Sequence, residues 1–471
     1  MEKSKELINN TILFAIGQFA SKIFVLLLVP LYTYAMNSEQ FGTADLFQNT
    51  LNLILPVLTL GVIQSTMRFV MENGVKREEV LQTARRKVFL GSVFLTLLCP
   101  FVDMIKVFHG FTYYLPFMFM ISSLQSIFMQ FSRGIGLIKL YIKGSIFCSV
   151  TLFVTSIILI LYLKLNIHGY LIAYIAANAA SLIYLIFIGK LYIYLDFSKS
   201  DGKTAPKMLK YGIPLVPNSL SWWVTLLSDR YFIIAFWGTA LNGMYSVAAK
   251  IPSAMGVLIG IFIQSWQLTA IKEFNENSKS DFFDEVYQKY CSVTFASGAV
   301  IISFSRLIAN IMFLNEFFES WKYIPILMCA ATISNIQKYF GAIYSAAMKT
   351  NKVFLTSLCG AFVNIVMNFM LIPFFGAYGA AVSTYISYIC VFIYRIMDTK
   401  KYIEIDVKIM RSALLTMLIT VQAIFMMMDE RIFTMLSLLC AFIIIAVNYK
   451  ELKEILIYLY NHCMTKLKFR G

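Results

Sequence analysis

Apolar runs of about 20 residues recur along the whole chain, and short polar or charged breaks separate them. At 1.5 Å per residue, a helix of that length crosses a hydrocarbon layer of about 30 Å. The runs predict about fourteen spanning helices, at 10–35, 44–70, 87–107, 112–131, 143–165, 168–190, 211–237, 243–268, 290–314, 322–347, 353–374, 377–398, 407–428 and 431–449. The longest polar stretches, 196–210 and 272–289, read as loops, and no segment has the mixed composition of a soluble domain. The pattern is that of an all-α integral membrane protein.

Composition agrees. The 471 residues are 59% hydrophobic and 14% charged, with a mean hydropathy of +0.72; a soluble globular chain carries about a quarter charged residues. The net charge of +15 does not point to nucleic acid, because the charges sit at the ends of apolar runs and do not cluster on one soluble face. With the N-terminus in the cytoplasm, 30 of the 40 Lys and Arg fall on cytoplasmic segments, and only Lys106, Lys164, Lys322 and Arg431 on outside loops. That is the positive-inside asymmetry, and a wrong span would scramble it, so both termini are expected inside. Met1-Glu-Lys-Ser-Lys leads into an apolar run with no small-residue cleavage site and reads as a retained first helix. The eight cysteines form no CxxC pair and mostly lie within apolar runs, as small packing residues do.

Two local patterns repeat. Glu39-Gln-Phe-Gly42 precedes the second span and Leu241-Asn-Gly243 the eighth; Ile167-His-Gly169 precedes the sixth and Ala377-Tyr-Gly379 the twelfth. The offsets of 201 and 210 residues are close enough for loops to absorb the difference. Two copies of six helices each would share one orientation, related by an axis along the membrane normal. The expected division is a six-helix lobe at 1–195, a cytoplasmic linker at 196–210, a second six-helix lobe at 211–400, and helices 13 and 14 with a cytoplasmic tail at 401–471. Two such lobes facing across a cleft form an alternating-access architecture.

Polar residues interrupt the apolar runs at helical spacing. In the seventh span Tyr211, Asn218, Trp222, Thr225 and Asp229 fall on one stripe, and Pro214 and Pro217 are expected to kink its cytoplasmic half. The first span carries Thr11, Gln18 and Lys22, the second Asp45, Asn49 and Asn52, and the eighth Ser246, Lys250 and Ser253. Later spans add Arg306 with Asn310, and Ser334 with Lys338. A charge at depth costs about 2.5–3.5 kcal/mol on insertion scales, so it faces water or a partner. Asp229 and Arg230 either neutralise one another or face the cleft; Trp222 either packs or stacks on a sugar ring; Arg68 snorkels. The expected cleft residues are Lys22, Asp45, Asn49, Asn218, Trp222, Asp229, Arg230, Lys250, Arg306 and Lys338. Six intramembrane cations against two Asp suit an anionic substrate such as phosphate.

There is no GxxxxGK[ST] loop, the three His are far apart, and no outside loop is long enough for a catalytic platform. A transporter is expected rather than an enzyme. No cofactor is expected, with a coupling ion, H+ or Na+, as the candidate energy source.

From the seventh span onward, Tyr211-Gly-Ile-Pro214…Pro217, Ser228-Asp229-Arg230-Tyr231 and Gly238…Gly243-Met-Tyr245-Ser-Val-Ala-Ala-Lys250 resemble the polysaccharide-transporter (Wzx-type oligosaccharide flippase) family. Pro30-Leu-Tyr-Thr…Phe41-Gly42, Leu60-Gly61-Val…Arg68 and Gly376…Gly379-Ala-Ala fit the same family, in order along the chain. The resemblance implies a MATE-like fold of two six-helix lobes plus two C-terminal helices. It also implies movement of an undecaprenyl-pyrophosphate-linked oligosaccharide from the inner to the outer leaflet of a bacterial cytoplasmic membrane. Membrane lipids and the lipid-linked oligosaccharide are then the expected partners, with a polysaccharide polymerase and glycosyltransferases as further candidates. A drug or cation exporter or a lipid II flippase of the same superfamily is the near alternative; a membrane glycosyl polymerase or ligase is the distant one.

Overall fold

The computed structural model describes residue 17 and residues 21–457, apart from 73, 109, 196–203, 276–279, 404 and 429. The start of the first predicted span with Thr11 and Gln18, residues 196–203 of the linker, His109, residues 276–279 and both termini lie outside the described residues; 204–210, 272–275 and 280–289, expected as loops, belong to helices instead, since a helix can run on past the apolar layer with polar residues. The helices are α1 (Ser21–Ala35), α2 (Ser38–Leu58), α3 (Val62–Val70), α4 (Arg77–Asp103), α5 (Tyr114–Gly134), α6 (Ile138–Ser156), α7 (Asn166–Phe187), α8 (Thr204–Gly212), α9 (Leu215–Trp237), α10 (Thr239–Ala248), α11 (Lys250–Asn275), α12 (Ser280–Ser303), α13 (Ser305–Met312), α14 (Ile324–Ala346), α15 (Thr350–Thr399), α16 (Ile409–Met427) and α17 (Arg431–Val447). No strand occurs among the described residues.

Every predicted span falls on one or two of these helices, the first from residue 21 on. Among the described residues, by length and composition alone, six helices can cross a membrane, or up to nine if each bent pair is one span. The bent pairs are α2 with α3 (57°), α12 with α13 (62°), and α17 with Tyr449–Ile457 (64°). The expected count of fourteen is therefore not fixed by length and composition. One reason is the long segment Asn351–Thr399. At 1.5 Å per residue it would reach ~70 Å, over twice a hydrocarbon core, and it covers two predicted spans. Its backbone leaves helical geometry at Gly376 (φ 55°, ψ −131°). In addition, α4, α9 and α14 carry too much polarity to count, and the described part of α1 is too short. Large apolar side chains such as Phe94, Leu97, Phe101, Phe369, Met417 and Phe442 are exposed on the helices, as lipid-facing residues are.

The chain divides into two compact units, Met1–Ser246 and Val247–Gly471. In the first, α2 packs on α5, α7 and α9, and α3 on α4, α5 and α8, around buried Phe41, Phe47, Leu51, Phe119, Phe128 and Phe131. In the second, α14 packs against α11, α12, α15 and α16, around buried Phe283, Tyr287, Tyr339, Phe340 and Tyr344.

Two glycine contacts set how closely helices approach in the first unit. A Cβ on Gly42 would lie 1.9 Å from the Thr239 carbonyl oxygen, and one on Gly243 would lie 2.0 Å from that of Ser38. Both clashes are with backbone, so α2 and α10 touch main chain to main chain. The contact is reciprocal, and Ser38/Thr239 are separated by the same 201 residues as Gly42/Gly243; that is the form an internal two-fold gives. At the other end of α2, a Cβ on Gly61 would lie 2.2 Å from the Gly212 carbonyl oxygen, at the end of α8. Gly42→Ala or Gly243→Ala is expected to lower stability by about 1–3 kcal/mol through overpacking. Gly256→Ala, where nothing lies within 4 Å of the added Cβ, should be neutral or stabilising. Thermal unfolding of the purified variants measures both.

Candidate functional site

The buried charges of the first unit collect where α2, α9 and α10 meet. Asn37 starts α2 with a capping box: its side chain accepts from the Gln40 N–H at 2.8 Å, and its own N–H donates to Gln40 Oε1 at 3.2 Å. This fixes the first turn and sends Asp45 and Asn49, one turn apart, to one face. On α9 the two prolines act differently from the expected kink. The predicted seventh span breaks instead: α8 ends at Gly212, Pro214 stands at the N-cap of α9, and Pro217 falls in its first turn. First-turn N–H groups have no helical partner, so proline costs little there.

Arg230 is the centre of the cluster. It is 8% exposed, and Asp45 and Asp229 are each 4% exposed. Its Nε donates to Asp45 Oδ2 at 3.0 Å and its Nη1 to Asp229 Oδ1 at 3.3 Å. Nη1 also donates to the Leu226 carbonyl at 3.1 Å, and the guanidinium lies 5.7 Å from the centre of the Tyr245 ring. Asp45 Oδ2 accepts two further bonds, from Asn49 Nδ2 at 2.7 Å and Ser246 Oγ at 2.6 Å. Asp229 Oδ2 accepts from the Tyr245 hydroxyl. Around this core Asn242 Nδ2 donates to the Gly42 carbonyl at 3.0 Å, and Trp223 Nε1 donates to the Asn49 carbonyl at 2.9 Å. Thr50 and Tyr231 share a hydroxyl–hydroxyl bond of 2.5 Å.

Of the ten expected residues, the structure brings four together: Asp45, Asn49, Asp229 and Arg230. The seventh-span stripe splits. Thr225 and Asp229 are buried, Asn218 is half-buried, and Trp222 is 38% exposed. Lys22 is exposed on α1. The remaining three lie in the second unit. Lys250 opens α11 and is half-buried. Arg306, on α13, lies 5.5 Å over the Trp321 ring, beside a cavity of about 520 Å³ that Ser303, Asn310 and Thr434 also line. Lys338 Nζ donates to Asn335 Oδ1 at 2.8 Å. Periodicity and charge passed over Tyr245 and Asn242, which complete the first-unit cluster together with Trp223, expected like Trp222 as a packing or sugar-stacking aromatic. Their signal was weak: Asn242 and Ser246 stand one turn apart, and Tyr245 belongs to a quoted motif.

A cation between two carboxylates is held, not offered. Removing it leaves two buried anions, whereas removing one carboxylate leaves Arg230 the other. Arg230→Gln is therefore expected to cost about 3–5 kcal/mol, and Asp45→Asn distinctly less. Thermal unfolding in detergent separates them; equal losses would show that the charge balance does not set the stability of this cluster.

The comparisons with known proteins match both this region and the fold. The sequence profile of a family described as polysaccharide biosynthesis protein matches residues 7–266, which include all of α2, α9 and α10. No curated protein sequence matches the chain. Among solved structures, the lipid II flippase MurJ in an inward closed conformation aligns with a TM-score of 0.71 at 16% identity, over 94% of this chain and 99% of that one. An inward-facing multidrug resistance MATE family transporter of the MOP superfamily aligns with a TM-score of 0.68 at 14% identity, over 82% and 98%. A MOP superfamily transporter from Pyrococcus furiosus aligns at 0.57 and 14%, over 83% and 96%. At such identities the shared property is the fold.

Proposed function

Because the chain belongs to the polysaccharide biosynthesis protein family, we propose that it is a flippase that moves an undecaprenyl-pyrophosphate-linked oligosaccharide from the inner to the outer leaflet of a bacterial cytoplasmic membrane. The family match carries this reading. The MurJ- and MATE-like fold and the cation-rich membrane segments support it. The reaction is translocation by alternating access, with no bond made or broken in the substrate and no cofactor. An H+ or Na+ gradient, the membrane potential or substrate flux drives it. A surface-polysaccharide polymerase and glycosyltransferases are the proposed partners.

Within this reading the ten polar residues take two roles. Asp45, Asn49, Asp229 and Arg230 spend their charges and hydrogen bonds on one another, so they hold α2 against α9 and α10. Lys22, Lys250, Arg306 and Lys338 are the cations assigned to the anionic substrate, with Asn218 and exposed Trp222 as sugar contacts. Translocation of the lipid-linked oligosaccharide in proteoliposomes is the direct test. Lys22→Gln or Lys250→Gln should reduce it at least about tenfold, and Lys→Arg should retain part, because charge matters more than shape for a mobile headgroup. Ionophores should abolish gradient-driven transport. Dependence on internal ATP, or translocation of cationic drugs in place of the lipid, would overturn the reading.

Topology is the second test. Both termini and the 272–289 segment, where α11 gives way to α12, are proposed to be cytoplasmic, and residues 239–242 external. A membrane-impermeant thiol reagent applied to intact cells should label Ala240→Cys and spare Ser280→Cys. External labelling at position 280 would invert the assignment.

A further inference from the structure

The most enclosed helix of the second unit carries an unfilled hydrogen-bond site. Between Leu327 and Ala346 on α14 every residue is buried except Ala331, Ser334, Lys338, Gly341 and Ser345, which are half-buried. They are spaced three and four apart and so form one narrow face. A face of Ser, Lys and Gly is a poor match for lipid. Within the same unit large exposed apolar residues, Phe362 and Phe369 on α15 and Met435 and Phe442 on α17, are the ones suited to lipid.

On this face Lys338 Nζ donates to Asn335 Oδ1 at 2.8 Å. Lys338 has no carboxylate within ion-pair distance among the described residues. Asn335 is 1% exposed, and its Nδ2, on the same carboxamide, has no hydrogen-bond partner. Its backbone is fixed, because the Tyr290 hydroxyl donates to its carbonyl at 2.8 Å, and Tyr290 is stacked on Phe262 at 4.9 Å. An ammonium with only a neutral acceptor therefore stands beside a buried amide N–H with none. Both defects are donors, and one anionic oxygen bridging Nζ and Nδ2 would repair them together.

We propose that Lys338 and Asn335 form an oxyanion subsite that binds a phosphoryl oxygen of a pyrophosphate group. Its physiological source as a lipid headgroup rests on the flippase reading above; the subsite itself rests on the two unfilled donors. A carboxylate at position 335 would lie within reach of the ammonium and occupy it from inside, without emptying the core of polar groups. Asn335→Asp keeps a polar group of the same size and is expected to fold and to close the subsite.

The test uses the full-length protein in nanodiscs, titrated with radiolabelled undecaprenyl pyrophosphate and, separately, with inorganic pyrophosphate. Lys338→Gln and Asn335→Asp should each weaken binding of the lipid about tenfold, and Lys338→Arg should stay close to the wild type. Thermal unfolding shows that the variants are folded. Wild-type affinity in folded Lys338→Gln and Asn335→Asp overturns the subsite, and intact translocation alongside it leaves the flippase reading standing. A Lys338-dependent affinity in a protein that translocates no lipid-linked oligosaccharide supports the subsite and removes the flippase reading. Lys338-dependent binding of inorganic pyrophosphate alone supports the subsite with a soluble anion as its ligand.

Discussion

The first unit depends on one arrangement, a guanidinium taken out of water between two carboxylates. Arg230 could not sit at 8% exposure without Asp45 and Asp229, since an isolated buried charge costs several kcal/mol and is not recovered by packing. The carboxylates in turn need the neutral donors that reach them from two helices, Asn49 on α2 and Ser246 and Tyr245 on α10. The cluster thus ties three helices into one unit, and no member can be exchanged for an apolar residue singly without exposing the charge of another.

Short hydrogen bonds between helices require short distances between helix axes. Ser246 Oγ reaches Asp45 at 2.6 Å because Gly42 and Gly243 let α2 and α10 touch backbone to backbone one turn away. The glycines contribute no polar side chain, yet they set the spacing in which the polar chemistry works. At the far end of α2 the Gly61–Gly212 contact does the same for α3 and α8, so α2 is anchored to the α8–α10 segment at both its ends.

Much of this was legible in the sequence. The apolar runs located the helices, because lipid imposes length and polarity on any segment that crosses it. Asp45 with Asn49, and Asp229 with Arg230, stood out as charges at depth. What could not be read was the choice of partner. Periodicity places Trp222 and Asp229 on one stripe, but the buried line of α9 runs through Ser221, Thr225 and Ser228, and it is Trp223 that reaches α2. A stripe drawn on one helix fixes relative angle, while the neighbour's position fixes which angle is inside. Pro214 and Pro217 were ambiguous for a similar reason: the same residues kink a helix or begin one, and only the α8–α9 break decides. Lys338 was visible as a charge, but the unfilled amide of Asn335 beside it was not.

The repeated turns gain meaning from the same contact. Gly42 and Gly243 were paired by pattern at an offset of 201 residues; Asp45 and Ser246 are separated by that same offset and are hydrogen-bonded to each other. Corresponding residues of the two turns therefore meet directly where α2 and α10 touch. The second pair, Gly169 and Gly379, has a common setting too: a Cβ on either would press on a backbone carbonyl of the segment just before it, Leu159 or Leu371. The two turns are alike in backbone packing and differ in side-chain chemistry. At this contact one turn carries a carboxylate and the other a hydroxyl, and two carboxylates there would repel at hydrogen-bond distance. A serine on one side gives a donated bond instead, and the carboxylate on the other also accepts from Arg230. The difference between the two turns is thus what allows a buried cation to be held where they meet.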